Sequence, residues 1–149
     1  MRDDEEFLID IAKGLQPRCF TNTGVDKIIY EEDQEVAEMY FIVEGEVGMA
    51  INTYGDINKS YEIGYRQEGS QLICDYYVIA KRKANFMYVC TIDIEAYALT
   101  KKYLHETLFQ NKNYLDYKKH IEFESYKIYN RCTYGPLIKF RKYYYESKN

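Results

Sequence analysis

Between Val25 and Met49 the chain reads VDKIIYEEDQEVAEMYFIVEGEVGM, and this stretch constrains the fold more than any other. Lys27 to Tyr30 is a short run of β-branched and aromatic residues, and Glu32-Asp33 supplies an acidic turn. Met39 to Val43 is a second strand, Glu44-Gly45 a glycine turn, and Glu46 to Ile51 a third strand. The same rhythm continues with a strand near 57–65 after Tyr54-Gly55-Asp56, then Phe86 to Asp93 and Glu95 to Leu99, with a short helical piece between. Many short strands joined by acidic or glycine turns predict a barrel, sandwich or jelly roll. Pattern alone leaves sandwich and jelly roll tied.

Helical periodicity flanks this β region. Phe7, Leu8, Ile11, Ala12 and Leu15 recur at helical spacing over Asp3 to Leu15, with Asp3, Asp4, Glu5 and Glu6 at the positive end of the dipole. Gly14 and Pro17 close that helix. Thr100 is placed to cap a helix through about Asn111, with Leu104 and Leu108 on its buried face. A further helix over Tyr114 to Arg131 presents Leu115, Lys118, Glu122, Tyr126 and Tyr129 at three- and four-residue steps, and Gly135-Pro136 ends it. The tail from Leu137 to Asn149 is basic and tyrosine-rich, with no element assigned.

Composition narrows the function. A chain of 149 residues with 46% apolar content is the size of one domain with a sizeable core. A net charge of −4 argues against nucleic acid as a partner. Four cysteines without a C-x-x-C pair, and only two histidines, argue against structural zinc and for reduced thiols in a cytosolic setting. His105 and His120 fall in predicted helices rather than grouped on strands, so a jelly-roll metal oxygenase is disfavoured and the chain is read as no enzyme. Acidic residues stand where a secretory signal needs positive charge, and no apolar run approaches the ~20 residues that span a bilayer. The first residues read as the interior of a longer polypeptide.

Ile28, Ile29, Tyr30, Met39, Tyr40, Phe41, Ile42, Gly45 and Val47 match the phrase G-x-x-I-x-x-x-G-[DE]-x-x-x-x-[ML]-Y-F-I-x-x-G-x-V. In this the chain resembles the cyclic-nucleotide-binding domain family. The resemblance breaks the tie. It implies an α+β fold, an eight-stranded antiparallel β jelly roll flanked by N-terminal and C-terminal helices. It divides the chain into an N-terminal helical segment (1–22), a β-roll with a phosphate-cassette-like insertion (23–100), C-terminal lid helices (101–133) and a tail (134–149).

In that family the ligand sits at a cassette resembling F-G-E-[LI]-x-L-L-x(4)-R-[ST]-A. There a short helix turns backbone N–H groups toward the cyclic phosphate, a carboxylate meets the ribose hydroxyl and an arginine neutralises the phosphate. The aligned ligand-binding positions here are Ile73, Cys74, Asp75, Tyr76, Ala84, Asn85 and Phe86. Cys74 replaces the glycine, which is tolerable at negative φ or in a rearranged loop. Asp75 is a shorter acid, read equally as ribose contact and as N-cap of a helix over Tyr76 to Ala80. For Tyr76 and Tyr77 core packing outweighs ligand contact. The arginine position falls on Ala84, a loss worth about 1.5–3 kcal/mol, or roughly 10- to 150-fold in affinity. Lys81, Arg82 or Lys83 stand one turn away as a possible rescue, against the plain reading of a solvated loop. Phe41, Val43, Val47, Met49, Phe86, Tyr88, Tyr97 and Leu99 are expected to wall the cavity.

Phe7, Leu8, Ile11, Ala12, Leu15, Pro17 and Phe20 also resemble the helix that opens the domain in voltage-gated and cyclic-nucleotide-gated cation channels. Glu95-Ala96-Tyr97-Ala98-Leu99-Thr100-Lys101 resembles the channel segment x-A-Y-A-L-x-K. The implied function is a regulatory domain of a (potassium) cation-channel subunit, on the cytoplasmic face of a membrane, coupling pocket occupancy to gating through a degenerate cassette. Its implied partners are the rest of the channel polypeptide and sister subunits in a tetramer. No cofactor is expected; cAMP or cGMP is the candidate ligand. The alternative is a working cAMP or cGMP receptor domain of a channel or a kinase regulatory subunit. In the ether-à-go-go branch an intrinsic ligand fills the cavity, a role that Tyr134, Leu137 and the Tyr143-Tyr144-Tyr145 run are placed to take here, against the reading of a flexible tail.

Overall fold

The structure is a computed structural model that describes residues 2–51, 61–68, 71–135, 138, 139, 142 and 146. Leu137 and the Tyr143–Tyr145 run lie outside the described residues, as does the predicted start of the strand near 57.

Helix α1 (Arg2–Gly14) leads directly into strand β1 (Gln16–Phe20), which the sequence reading did not assign. β2 (Ile28–Tyr30), β3 (Glu38–Ile51), β4 (Tyr61–Glu68), β5 (Gln71–Ile73) and β6 (Met87–Thr100) complete the set, with helix α2 (Asp75–Ala80) between β5 and β6. The described residues carry six antiparallel strands where eight were expected. Two predicted pairs have merged. The 39–43 and 46–52 strands are one β3, and the strands on either side of Ile94 are one β6.

The merging has a physical cause. Gly45 is not a turn but a point where β3 keeps its ladder with β6 through register shifts between Ile42 and Val47. Its φ of +103° is open to glycine, and a Cβ there would overlap the Asp93 carbonyl oxygen and come within 2.7 Å of Ile94 Cα. The bend divides each long strand into two arms. The first arm of β3 pairs with β5 and the second with β4, while the two ends of β6 pair with β2 and β1. Side chains from both arms, among them Tyr40, Ile42, Val47, Met49, Tyr88 and Ile94, meet in one core.

The bulges also decide which residues face that core. Along β6, Ile94, Ala96 and Ala98 are buried while Glu95 and Tyr97 point out. Val43 and Tyr97, expected to wall the cavity, are therefore exposed and Phe41 only partly buried; Val47, Met49, Phe86, Tyr88 and Leu99 are inside as expected. In α1 Phe7 and Gly14 are buried and Ile11 partly so, as is Leu15 just beyond it, and Leu8 and Ala12 face outward.

After β6, Thr100 caps α3 (Lys101–Tyr103) by accepting from the Tyr103 N–H at 3.1 Å, as its position predicts. The helix widens into a π turn at Leu104–Leu108 rather than running on to Asn111; Leu104 and Leu108 are both buried. Helix α4 (Leu115–Tyr129) follows and continues as a π turn through Asn130–Tyr134. Gly135 keeps a helical backbone, so the expected stop is not at that residue. The inward stripe of α4 is Lys118, Ile121, Ser125 and Tyr129, while Leu115, Glu122 and Tyr126 face outward. Phe7 of α1 stacks on Tyr117 and meets Tyr114 edge-on, tying α1 to the start of α4. Among the described residues no helix is long and apolar enough to cross a membrane.

Candidate functional site

Helix α2 is the element the cassette resemblance singles out, and it begins one residue earlier than expected. Asp75 is its first residue, and Cys74 holds the cap position without a side-chain capping bond. Cys74 has φ of +64°, so it occupies the left-handed conformation that glycine takes without strain. The condition of a negative φ is not met. What offsets the strain is burial: the Cys74 side chain lies in the core beside Ile73, and that burial pushes its thiol pKa well up.

Asp75 is neither a pure cap nor free for a ligand. Burial raises its pKa, while hydrogen bonds from its own N–H and that of Tyr76 act in the opposite direction. The carboxylate thus sits against the first-turn donors that would otherwise meet an anion. A bound phosphate there would lose those donors and face a like charge. At the far end of α2, Lys81 adopts a left-handed cap with φ of +56°, its N–H bonding the Tyr77 carbonyl. His105 Nε2 lies 2.8 Å from the Val78 carbonyl oxygen and ties α2 to the π turn after α3.

The space between α2, β6 and α4 is filled by tyrosine. The Tyr77 ring is 1% exposed. Its hydroxyl is 2.8 Å from that of Tyr88 on β6 and 3.1 Å from that of Tyr129 on α4. Asn85 Nδ2 donates to the Tyr129 hydroxyl at 2.6 Å. Tyr129 also stacks face to face on Tyr76, with centroids 4.2 Å apart and planes 7° from parallel. Helix α4 is therefore held against α2 and the loop that follows it by one ring stack and two hydrogen bonds.

The other predicted positions fall as follows. Ile73 pairs with Tyr40 across β5 and β3, and Phe86 is fully buried. Ala84 is also fully buried, its N–H bonding the Gln34 carbonyl and its carbonyl accepting from Asp33. An arginine side chain there would start from a packed, apolar position. Lys81, Arg82 and Lys83 are all exposed. Tyr134 is 38% exposed and leans on the outer side of Tyr129 at 5.9 Å, outside the roll rather than in it. Among the described residues no group of His, Cys, Asp or Glu is arranged to hold a metal ion.

A second polar cluster was missed by the sequence reading. Arg18 donates through Nε to Glu38 Oε1 at 2.9 Å and through Nη2 to Oε2 at 3.1 Å. Tyr40 donates to the same carboxylate, and the Tyr30 hydroxyl donates to the Glu38 carbonyl. The only signal for either cluster was the count of 18 tyrosines, which says that polar-tipped rings are plentiful but not which ones meet.

Burial raises the pKa of Tyr40, Tyr77, Tyr88, Tyr103 and Tyr129, and pushes Tyr30 up to about 12 from an ordinary 10.0. A raised folded pKa means that the native state keeps a proton that the unfolded chain gives up. Stability from Tyr30 is thus full below pH 10.0 and falls as pH rises toward about 12. Tyrosinate absorbance during an alkaline titration is expected to show a late-ionising class that appears together with unfolding. Simultaneous ionisation of every tyrosine near pH 10.0, with the fold intact, would contradict the buried network.

No family model and no curated protein sequence matches the chain. The solved structures it resembles define the fold as that of cyclic-nucleotide-binding domains. A putative cyclic nucleotide-binding protein from Geobacter metallireducens superposes with a TM-score of 0.60 at 13% identity, over 81% of this chain and 80% of that one. The catabolite activator protein of Thermus thermophilus gives 0.61 at 17% identity, over 91% of this chain and 60% of the other. The C-linker/CNBHD of zELK channels, crystallized in the presence of cAMP, gives 0.61 at 12% identity, over 80% and 55%. At these identities the likeness is one of fold.

Proposed function

We propose that this is a non-catalytic regulatory domain of a cation-channel subunit, whose inner nucleotide site is taken by its own tyrosines. The observation that carries the reading is the Tyr77 ring, buried where α2, β6 and α4 meet and bonded to a tyrosine of each of the other two. The Asp75 carboxylate against the helix start and the buried Ala84 at the arginine position support it. In this reading the signal is the position of α4 itself. Force transmitted from the rest of the channel polypeptide, or from sister subunits in a tetramer at the cytoplasmic face, opens or closes the Tyr76–Tyr129 contact. Ordinary population shift then links that contact to the gate.

Calorimetric titration with cAMP and with cGMP is the direct test. The expected result is no heat of binding up to millimolar nucleotide. Micromolar binding of either would replace this reading with that of a working cyclic-nucleotide receptor.

A further inference from the structure

Charge is divided along this chain. Residues 1–100 hold 9 Lys and Arg against 19 Asp and Glu, a net −10, whereas residues 101–149 hold 11 against 5, a net +6. The β-roll is therefore acidic and the helices after it basic, and each carries an exposed apolar patch.

On the roll the patch is a row across four strands. Tyr97 of β6 stands opposite Pro17 of β1 and Phe41 of β3, and Phe41 stands opposite Leu72 of β5. Directly paired residues share one face of a sheet. Here it is the outer face: Tyr97 is 47% exposed, Pro17 and Leu72 are exposed and Phe41 is half-buried. Val43, two residues on from Phe41, is 49% exposed. Beside this row Glu44 and Glu95 are paired across β3 and β6, both exposed and neither with an ion-pair partner among the described residues. Like charges placed directly opposite repel, and a cation laid against them relieves the repulsion.

Helix α4 carries the complement. Lys119, Phe123 and Lys127 follow one another at four-residue steps, so they share one outward stripe, with Tyr126 beside them. Phe123 is 62% exposed, and Lys127 Nζ lies 5.8 Å from its ring centroid. Neither lysine has an ion-pair partner among the described residues. Tyr97 and Phe123 are both open in the folded chain, so the two patches do not cover one another within one copy. A two-fold contact of either patch with itself would set carboxylates against carboxylates, or lysines against lysines. Roll against helix joins apolar to apolar and acid to base at once.

We propose that the outer face of the roll in one copy of this chain binds the outward stripe of α4 in the next. Such a head-to-tail contact builds a ring or an open row rather than a closed pair. It uses none of the residues of the interior nucleotide site and does not rest on the channel reading.

Sedimentation of the intact chain over a range of concentrations is the first measurement, and a mass rising above the monomer is expected. The sheet-face variant Glu95→Gln/Tyr97→Ser and the helix-face variant Phe123→Ser/Lys127→Gln change exposed residues only, and unchanged circular dichroism checks that each folds. Each alone is expected to associate about ten-fold more weakly or worse, the usual loss on removing an aromatic anchor. Their equimolar mixture is expected to associate as tightly as the parent chain but to stop at two copies. The sheet-face variant still offers its α4, and the helix-face variant still offers its roll. A monomer at every concentration overturns the proposal, as does association of either variant at the parent's strength. A mixture no better associated than its components would mean that like faces pair with like, and overturns the head-to-tail contact. Cyclic-nucleotide calorimetry bears on the interior alone, so the two readings fail separately.

Discussion

Tyr77→Ala is expected to destabilise the fold by about 3–5 kcal/mol, the cost of truncating a fully buried aromatic side chain. The ring touches Tyr76, Tyr88 and Tyr129 edge-on at centroid distances of 5.9, 5.9 and 5.3 Å. Alanine leaves a void among them and takes away the hydroxyl that bonds those of Tyr88 and Tyr129. For a domain whose total stability is about 5–15 kcal/mol, this is at least about a fifth of the whole. Urea unfolding at neutral pH measures it. Tyr77→Phe keeps the ring and loses the hydroxyl, so it is expected to cost only about 1–3 kcal/mol. If alanine cost no more than phenylalanine, the ring would not be filling the interior. Amide exchange in α4 is expected to quicken in the alanine variant, since Tyr129 would lose one of its two hydroxyl partners.

Gly45→Ala is expected to cost roughly 2–5 kcal/mol, from two separable sources. The first is backbone strain, because φ of +103° lies where side chains are rarely found. The second is overlap with the Asp93 carbonyl and Ile94 Cα, backbone atoms that cannot retreat without opening the β3–β6 ladder. Gly24 supplies the control. It too has positive φ, at +62°, but a Cβ there would meet nothing within 4 Å. Gly24→Ala should therefore show only the left-handed penalty, about 1–2 kcal/mol. Thermal unfolding of the two variants side by side isolates the clash. Equal losses would mean that the bend at Gly45 relaxes freely.

The chain announces that something special happens at Gly45, since a glycine breaks a run of strand formers. It does not announce whether the event is a turn or a bulge, because both need the same residue. Taking it as a turn separated β3 into two strands, and the expected cavity wall kept Phe41, Val43, Val47 and Met49 in one alternation across it. A bulge shifts the alternation, and every side chain beyond it changes sides. The inner face belongs to Tyr40 and Ile42 before the bend and to Val47 and Met49 around it.

The cassette was locatable for a different reason. Its position between β5 and β6 follows from linear order, and so does the absence of arginine at position 84. What occupies the space was not legible. Tyr77 and Tyr129 are 52 residues apart, and no local pattern marks them as partners. Tyr126 and Tyr129 belong to the same three- and four-residue spacing, yet Tyr129 is partly buried and Tyr126 is 55% exposed. Only the helix rotation set by packing separates them.

Sequence alone determined the succession of leading helix, β region and trailing helices, the Thr100 cap, the place of the short helix and the loss of its expected cation, because each depends on residues within a turn or two of one another. Tertiary structure decided the rest: which faces look inward, how Cys74 is held left-handed, and which tyrosines join α4 to α2 and β6. Those outcomes depend on segments brought together across the whole chain, where burial and hydrogen bonding outweigh local preference.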